Sequence, residues 1–328
     1  MVIADRILLT GAGFTHNFGA PLAAELWSLV FNHPAGQGAK RVREELLQDQ
    51  NFERAYNTVV TEERFCPGDR MAIHAAVTDA FESVDKTLRD WRFTASGPRP
   101  VNIYEVQRLI GRFAGPVGGA GLFFTLNQDL FLERHYYNGE RPAVAGIPHH
   151  SEWFSSTFSS QKLEHEHGRT LPKNAPDVAG LLNKHRFLYV KLHGSSNWYS
   201  SDGTQRMVIG RGKIKQIASE PLLAAYWRLF EHALTSGKRR LLIIGYGFAD
   251  AHVNQVLANA VDSRETELFV LSPQLAKDFK SDLSTKPSGD RIWKGLRGYL
   301  HGSLLDAFPA DQSTSPLARE IESRFFSG

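Results

Sequence analysis

Five runs of consecutive apolar residues punctuate the chain, and each has the length of a short β-strand. They are Arg6–Thr10, Gly121–Asn127, Tyr189–His193, Arg240–Tyr246 and Glu267–Ser272. Continuous rather than alternating hydrophobicity is typical of strands buried on both faces of a parallel sheet covered by helices. Each run ends in glycine or polar residues, and ligands bind beyond the carboxyl ends of the strands in an open α/β sheet. The pattern therefore predicts an α/β fold with five strand ends converging on one crevice.

Apolar residues spaced at i, i+3 and i+4 fill much of the chain between the first two predicted strands. The helices predicted there are Pro21–Phe31, Lys40–Gln48, Asp69–Arg92 and Asn102–Phe113. This is more helix than one crossover needs, so we predict a mostly helical subdomain, residues 20–115, inserted into a parallel-sheet core of residues 1–19 and 116–310. Further helices are predicted at Tyr226–Leu234 and Leu317–Phe326, the second within a C-terminal segment, residues 311–328. Residues 138–176 are predicted to form a long surface excursion, and the whole chain to form one domain.

Composition and charge narrow the class of protein. The chain has 328 residues, 42% of them hydrophobic, so it can bury a substantial core. A formal net charge of +3 is too small to predict a nucleic-acid partner by itself. The single cysteine, Cys66, excludes a disulfide or a cysteine-based zinc cluster within one chain and favours a reducing compartment. No stretch approaches the about 18 apolar residues of a membrane span, so we expect a soluble, cytoplasmic protein.

A glycine-rich loop follows the first predicted strand and contains Gly11, Ala12, Gly13 and Thr15. Glycines at such a turn let the backbone approach a pyrophosphate, and a following helix adds a favourable dipole. The hydride-transfer fingerprint G-x-G-x-x-G fails, because His16 stands at its third glycine. The loop therefore favours a dinucleotide site that is not a dehydrogenase site, with a tight structural turn as the alternative.

Four strand ends together resemble the Sir2 superfamily. Gly11–Thr15 is similar to its GAG-x-S loop, Thr125–Asp129 to its T-x-N-x-D motif, Lys191–Gly194 to its HG motif and Gly245–Phe248 to its later glycine-containing NAD loop. The four matches keep the order of the family along more than half of the chain. The resemblance implies a Rossmann-like sheet and NAD+ as the bound nucleotide.

The departures from the sirtuin pattern matter as much as the matches. Residues 195–239 contain no cysteine, so the four-cysteine zinc ribbon of sirtuin deacylases is missing from the sequence. Gly19–Ala24 lacks the acid and the arginine of the sirtuin G-x-P-D-F-R segment, which argues against acyl-lysine chemistry. His193–Trp198 and Gly245–Asn254 instead resemble the HGS-x-NW and GYGF-x-D-x-H-x-N patterns of bacterial SIR2-like proteins. That group includes NAD-hydrolysing effectors of anti-phage defence.

Three residues are predicted to carry out cleavage of the nicotinamide–ribose bond, which passes through a cationic, oxocarbenium-like sugar. The Asn127 amide can hold ribose hydroxyls or orient a water. The Asp129 carboxylate can orient that amide or the nicotinamide group, and it favours the developing positive charge. His193 can take a proton from a ribose hydroxyl or from the attacking water.

Other strand-end residues are predicted to bind the nucleotide. The predicted set is Gly11, Ala12, Gly13, Thr15, Gly245, Tyr246, Gly247, Asp250, Asn254 and Ser272. Structural roles remain open for several candidates: Asn127 could cap a helix whose first turn is residues 128–132, His193 could be a buried structural histidine, and Asp250 could be a helix N-cap.

Two further clusters are interpreted without a ligand. Glu164, His165, Glu166 and His167, with His149 and His150 nearby, lack the helical spacing of a zincin, so we expect a solvated loop and no metal. A basic stretch could contact nucleic acid, but a charged hairpin is commoner. That stretch contains Arg206, Arg211, Lys213 and Lys215.

The leading hypothesis is an NAD+ hydrolase that releases nicotinamide and ADP-ribose and acts as the effector of a bacterial anti-phage system. The alternatives are a zinc-free NAD-dependent protein deacylase or ADP-ribosyltransferase, and a non-catalytic sensor of NAD+ or ADP-ribose. An enzyme that depletes NAD+ needs restraint. We therefore expect a homo-oligomer or a complex with a separately encoded sensor, such as a HerA-like ATPase or an Argonaute-type protein, without direct contact with nucleic acid or a membrane.

Overall fold

The computed structural model describes residues 2–91, 101–136, 142–144, 168–210, 212–311 and 314–327. Its ten strands are β1 (Val2–Thr10), β2 (Gly119–Thr125), β3 (Ala143–Val144), β4 (Arg169–Thr170), β5 (Phe187–Lys191), β6 (Gly194–Tyr199), β7 (Gln205–Met207), β8 (Arg239–Ile244), β9 (Thr266–Ser272) and β10 (Leu296–His301). Seven of them form one sheet in the order β10-β9-β8-β1-β2-β5-β3. Every neighbouring pair in this sheet is parallel, which confirms the predicted α/β class.

The position of β1 determines where a ligand can bind. Leu8 of β1 pairs with Phe123 of β2 on one side and with Leu242 of β8 on the other. The chain builds the sheet outward from β1 through β2 and β5, and then restarts with β8 on the opposite side of β1. The connections that leave β1 and β8 therefore lead to strands in opposite directions along the sheet. This change of direction is the point at which open α/β sheets form their ligand crevice.

Helices cover both faces of the sheet and form a separate group after β1. They are α1 (Ala12–His16), α2 (Ala23–Asn32), α3 (Pro34–Gly38), α4 (Lys40–Gln48), α5 (Phe52–Thr61), α6 (Pro67–Asp90), α7 (Ile103–Gly111), α8 (Phe131–His135), α9 (Val178–Lys184), α10 (Lys213–Ser219), α11 (Pro221–Thr235), α12 (Ala251–Asp262), α13 (Ala276–Ser284), α14 (Gly289–Lys294), α15 (Leu304–Ala307) and α16 (Pro316–Ile321). A π-helical turn, Glu322–Phe326, continues α16. Each helix of the described ranges is too short or too polar to cross a membrane.

Two groups of buried apolar side chains make up the interior. The larger surrounds the sheet, and the α7 residues Val106 and Ile110 belong to it. The smaller lies among α2 to α6, which we call the helical subdomain. Its members are Val30, Val42, Leu46, Phe52, Ala55, Val59, Phe65, Ile73, Ala76, Val77, Ala80 and Ile209. Ile209 comes from the segment after β7, so that segment connects the helical subdomain to the sheet.

Only part of the basic stretch forms the predicted charged hairpin. β6 and β7 do pair antiparallel within a small sheet of order β4-β6-β7. Arg206 on β7 lies 3.3 Å from the Glu220 carboxylate, and Lys215 is exposed. Lys213, by contrast, begins α10 and points inward, with a side chain only 12% exposed. Arg211, His149, His150 and the Glu164–His167 cluster lie outside the described residues.

Candidate functional site

The loops after β1 and β8 are joined directly by their backbones. The N–H of Gly11 donates to the Ile244 carbonyl at 3.1 Å, and the N–H of Gly13 donates to the Gly245 carbonyl at 2.8 Å. A Cβ on Gly13 would lie 2.8 Å from Gly245 Cα, and a Cβ on Gly245 would lie 2.1 Å from Phe14 N. Gly245 also has φ +68°, where a side chain is strained. These glycines are therefore required for the two loops to pack against each other.

Gly247 differs from the other loop glycines. A Cβ on it would meet no atom within 4 Å, so packing within the chain does not require a glycine there. The next residue, Phe248, is buried and has φ +53°, a left-handed conformation that is uncommon for a bulky side chain. The loop after β8 thus presents open backbone at Gly247 and is held in a costly conformation beside it.

Thr15, Asn127 and Asp129 come together at the ends of β1 and β2. The Asn127 amide donates from Nδ2 to Thr15 Oγ1 at 3.2 Å, and both side chains are buried. The Thr15 hydroxyl also lies near the Asp129 carboxyl and acts to lower its pKa. The structure therefore brings two predicted catalytic residues into one cluster with a residue of the glycine loop.

The proposed capping role of Asn127 is wrong. The helix does not begin with a turn at residues 128–132, because α8 starts at Phe131. The N–H of Phe131 donates to Asp129 Oδ1 at 3.0 Å, so Asp129 supplies the bond that Asn127 was considered for. Burial raises the pKa of the Asp129 carboxyl to about 6, although the Lys191 ammonium acts in the opposite direction.

His193 lies in the turn between β5 and β6 and is 3% exposed. Burial lowers its pKa to about 3, so its ring is neutral at neutral pH. Its Nε2 lies 3.1 Å from the Nε2 of His252, which is on the first turn of α12. The following residue, Gly194, has φ +75°, and a Cβ there would lie 2.0 Å from the Arg206 carbonyl. The glycine is therefore required by the turn that positions the histidine.

Tyr246 and Asn254 brace the loop after β8 from inside. The Tyr246 hydroxyl lies 2.9 Å from Asn254 Oδ1 and accepts the N–H of Asp250 at 3.2 Å. Asn254 is fully buried, and its amide donates to the carbonyls of Phe248 and Pro287. The polar atoms of both residues are thus bound to the protein itself. Tyr246 and Asn254 therefore support the loop from inside the protein and do not line an opening.

Asp250 and Ser272 are placed at the same edge of the sheet. Asp250 directly precedes α12, but its carboxylate makes no capping bond. It accepts instead from Lys213 Nζ at 2.7 Å. Ser272 ends β9, where its Oγ accepts the N–H of Gln274 at 3.3 Å, and β8 separates it from β1. Ser272 is therefore the predicted residue farthest from the glycine loop in the order of strands.

Several residues of the site were not identified from the sequence. Gln128 donates from Nε2 to the carbonyls of His193 at 3.2 Å and Val208 at 2.9 Å, and so links the β2 end to the histidine turn. Lys191, fully buried, donates to Glu133 at 2.7 Å, to the Asp129 carbonyl at 2.6 Å and to Ser195 Oγ at 2.8 Å. A lysine within an apolar strand was the signal that could have indicated this network.

Lys213 also went unrecognised. Its ammonium lies 2.8 Å from the Glu53 carboxylate on α5 and 2.7 Å from that of Asp250. It thus joins the helical subdomain to the loop after β8. The pKa of the Glu53 carboxyl is raised, because the effect of burial exceeds the opposing effect of the Lys213 charge. The two carboxylates raise the pKa of Lys213 against the effect of its burial, so the ammonium remains charged.

Two cavities lie near these elements, and neither is lined by a predicted site residue. The smaller is lined by Leu130, which follows Asp129. It has a volume of about 250 Å³ and lies between α6 and the β6–β7 hairpin, with Ser196 and Asn197 in its wall. The larger, of about 490 Å³, is lined by Ile3 at the opposite end of β1 and by α9 and α11. It contains no predicted site residue, so cavity size does not indicate the site here. The convergence of the strand ends does.

Comparison with known proteins agrees with this arrangement. A family model described as SIR2-like domain matches residues 121–294, more than half of the 328-residue chain. The matched segment contains the Asn127 strand end, the His193 turn and the loop after β8. It begins after the glycine loop, which the fold brings to the same crevice. The search of curated proteins finds no match to the chain.

Proposed function

Because the chain belongs to the SIR2-like domain family, we propose that it hydrolyses NAD+ to nicotinamide and ADP-ribose in the crevice between β1 and β8. SIR2-like domains bind NAD+ as a substrate. The observation that carries the proposal is the hydrogen bond from Gln128, next to Asn127, to the His193 carbonyl, which joins the β2 end to the histidine turn.

The nucleotide would lie across the ends of β1 and β8. The backbone at Gly247 is open, so a pyrophosphate can approach it closely. The reacting ribose would then lie over the β2 end, beside Asn127 and His193. This placement follows the usual position of ligands at the change of strand direction.

The residues act on the reaction in three ways. The Asn127 amide, fixed at one end by Thr15, orients a ribose hydroxyl or the attacking water. The neutral His193 accepts the proton which that hydroxyl or water loses. The Asp129 carboxylate, ionised above pH about 6, favours the positive charge that develops on the sugar as nicotinamide leaves.

Alanine substitutions test the proposal directly. We expect His193→Ala and Asn127→Ala each to lower nicotinamide release from NAD+ by about 100-fold or more, because each removes a group that acts in the transition state. The matched control is His74→Ala, which changes an exposed histidine of α6 and should leave the rate unchanged. Circular dichroism establishes that the variants are folded. Full activity in both site variants would refute the mechanism.

The same assay separates the proposal from its alternatives. A deacylase or ADP-ribosyltransferase would release nicotinamide only while consuming an acyl peptide or a protein acceptor. A sensor would bind NAD+ and leave it intact. Hydrolysis alone gives free ADP-ribose in equal amount to nicotinamide, without an added acceptor.

We further propose that the enzyme is an effector of anti-phage defence, acts in the cytoplasm and is restrained by assembly. The partner would be another copy of the chain or a separately encoded sensor such as a HerA-like ATPase or an Argonaute-type protein. The proposal rests on the cost to a cell of unregulated NAD+ loss. Sedimentation of the purified chain alone and with such a partner, alongside the hydrolysis rate, tests it. A monomer that is fully active alone would contradict it.

A further inference from the structure

Three side chains that carry metal-ligating atoms meet beside the crevice. His193 comes from the turn after β5, whereas Asp250 and His252 come from the start of α12. One ligand-type atom from each lies within 4.8 Å of the others, and the two histidine Nε2 atoms are 3.1 Å apart. His252 is half-buried, so the cluster can be reached from its side.

The types and proximity of these three side chains suit a transition-metal ion. Zinc binds imidazole nitrogen at about 2.0–2.1 Å in tetrahedral geometry, which puts two such nitrogens roughly 3.4 Å apart. The observed 3.1 Å separation needs only a small adjustment. Two imidazoles and one carboxylate are a ligand set that zinc uses, and three protein ligands leave a fourth position for water.

The charges around the cluster also favour a cation. Asp250 and Glu53 each contribute a negative charge in their ionised forms, and Lys213 contributes one positive charge, so their sum is −1. Lys213 Nζ contacts Asp250 at Oδ1. A carboxylate has two oxygens, so the ammonium and a metal ion can share it. A divalent ion would replace the direct hydrogen bond between the two imidazoles.

We propose that His193, His252 and Asp250 form a binding site for a zinc-like divalent transition-metal ion, and that the bound ion inhibits hydrolysis. The ion occupies the Nε2 of His193, which must be free to accept a proton in the reaction. The inhibitory part rests on the proposed function, whereas metal binding by itself does not.

Cobalt titration tests the site without any activity measurement. The full untagged chain, freed of metal with a chelator, is titrated with Co²⁺ in the absence of NAD+ while visible d–d absorption is recorded. We expect one Co²⁺ per chain in a low-coordinate spectrum, displaced by Zn²⁺. His252→Ala and Asp250→Asn should each weaken binding at least 10-fold, and Asp250→Asn keeps the shape of the side chain.

Two controls define the outcomes. His74→Ala and the double variant His165→Ala/His167→Ala should bind Co²⁺ as the unchanged chain does. Absence of the spectrum, or binding that survives His252→Ala and Asp250→Asn, would overturn the proposal, as would loss of binding in the double variant. Melting curves confirm that each variant is folded.

Inhibition is measured separately. Zn²⁺ should lower nicotinamide release with a midpoint equal to the Zn²⁺ dissociation constant from the displacement titration, and a chelator should restore the rate. Inactivity of the metal-free chain would refute the proposed function and leave the metal site standing. Zn²⁺ binding without inhibition would refute the inhibitory part alone.

Discussion

Asp129 has two roles, one in the structure and one in the proposed reaction, and its negative charge costs folding free energy. Its carboxylate accepts the N–H of Phe131 at the start of α8, and it also lies beside the proposed reacting groups. Burial raises its pKa from 3.8 to about 6, so the folded state prefers the protonated acid. The negative charge that is proposed to support the reaction at neutral pH therefore lowers the stability of the folded state.

We predict that Asp129→Asn stabilises the protein at pH 8 and does so less at pH 5. A pKa raised in the folded state gives stability that is complete below the unfolded value of 3.8 and is lost as pH rises through about 6. Removal of the charge should therefore raise the free energy of unfolding at pH 8 by up to about 3 kcal/mol. Urea denaturation at both pH values measures this, and nicotinamide release should fall in the same variant.

Asp202→Asn is the control of opposite sign. Its hydrogen bonds with Ser200 and Thr204 lower its pKa to about 2, so its ionised form favours the folded state. That contribution is present above pH 3.8 and is lost as pH falls through about 2. The substitution should therefore lower stability at pH 8, and a stabilising effect in both variants would contradict the assignment.

At this scale, sequence reasoning could place Asn127 and Asp129 at one strand end but could not divide their roles. The helix that follows begins at Phe131, three residues later than expected, and this shift transfers the capping bond from the amide to the carboxylate. Short helices have weak boundary signals. The ion pair of Lys191 and Glu133 was missed for a different reason. The sequence shows a lysine within an apolar run, but it does not show which distant residue is its partner.

At the scale of elements, the loops after β1 and β8 act as one unit because their backbones touch. We predict that Gly245→Ala lowers the free energy of unfolding by about 3 kcal/mol or more, or prevents folding, because its Cβ would overlap Phe14 N. Gly247→Ala should leave the melting temperature nearly unchanged, since its Cβ meets open space.

The same pair of variants reports on the ligand. If a pyrophosphate approaches Gly247 closely, the alanine methyl should weaken NAD+ binding or raise KM by about 10-fold in a chain that is otherwise as stable as the original. Calorimetry of NAD+ binding, or the steady-state rate, measures this. Unchanged affinity in Gly247→Ala would exclude close approach at that residue.

The inner strands could be predicted and the outer ones could not, for a physical reason. β1, β2, β5, β8 and β9 have neighbours on both sides and correspond to continuous apolar runs. β10 is an edge strand with only one strongly buried residue, Leu300, so its sequence LRGYLH lacks the apolar run. β3 has two residues and gives no pattern.

At the scale of the whole molecule, the helical subdomain has its own core, although Val84 and Leu88 of α6 pack in the sheet core. Lys213 is one of the points at which the two parts are joined. We predict that Lys213→Met lowers the free energy of unfolding by about 3 kcal/mol, because it leaves Glu53 and Asp250 without their shared cation. Lys215→Met, two residues away and exposed, should change stability by less than about 0.5 kcal/mol.

A second substitution makes the origin of that loss testable. Lys213→Met/Glu53→Gln removes one of the two opposed carboxylates and should recover part of the lost stability in urea denaturation. Equal losses for Lys213→Met and Lys215→Met would show that the connection contributes nothing.

The organisation of the chain was predicted as a helical insertion, residues 20–115, and the structure shows how those helices are divided between cores. α2 to α6 surround the smaller core, whereas Val106 and Ile110 of α7 pack against the sheet. Helical periodicity identifies an apolar face but not the core that it covers. That partition depends on long-range contacts that a single sequence does not display.

The central place of β1 has a consequence for the order in which the protein is made. β1 is synthesised before both of its partners, which are residues 119–125 and 239–244. α2 to α6 are complete by residue 90, and the described residues from later in the chain that join their core are Met207 and Ile209. The apolar strand β1 therefore has both edges unpaired until β2 is made, and one edge unpaired until residue 244 has been synthesised.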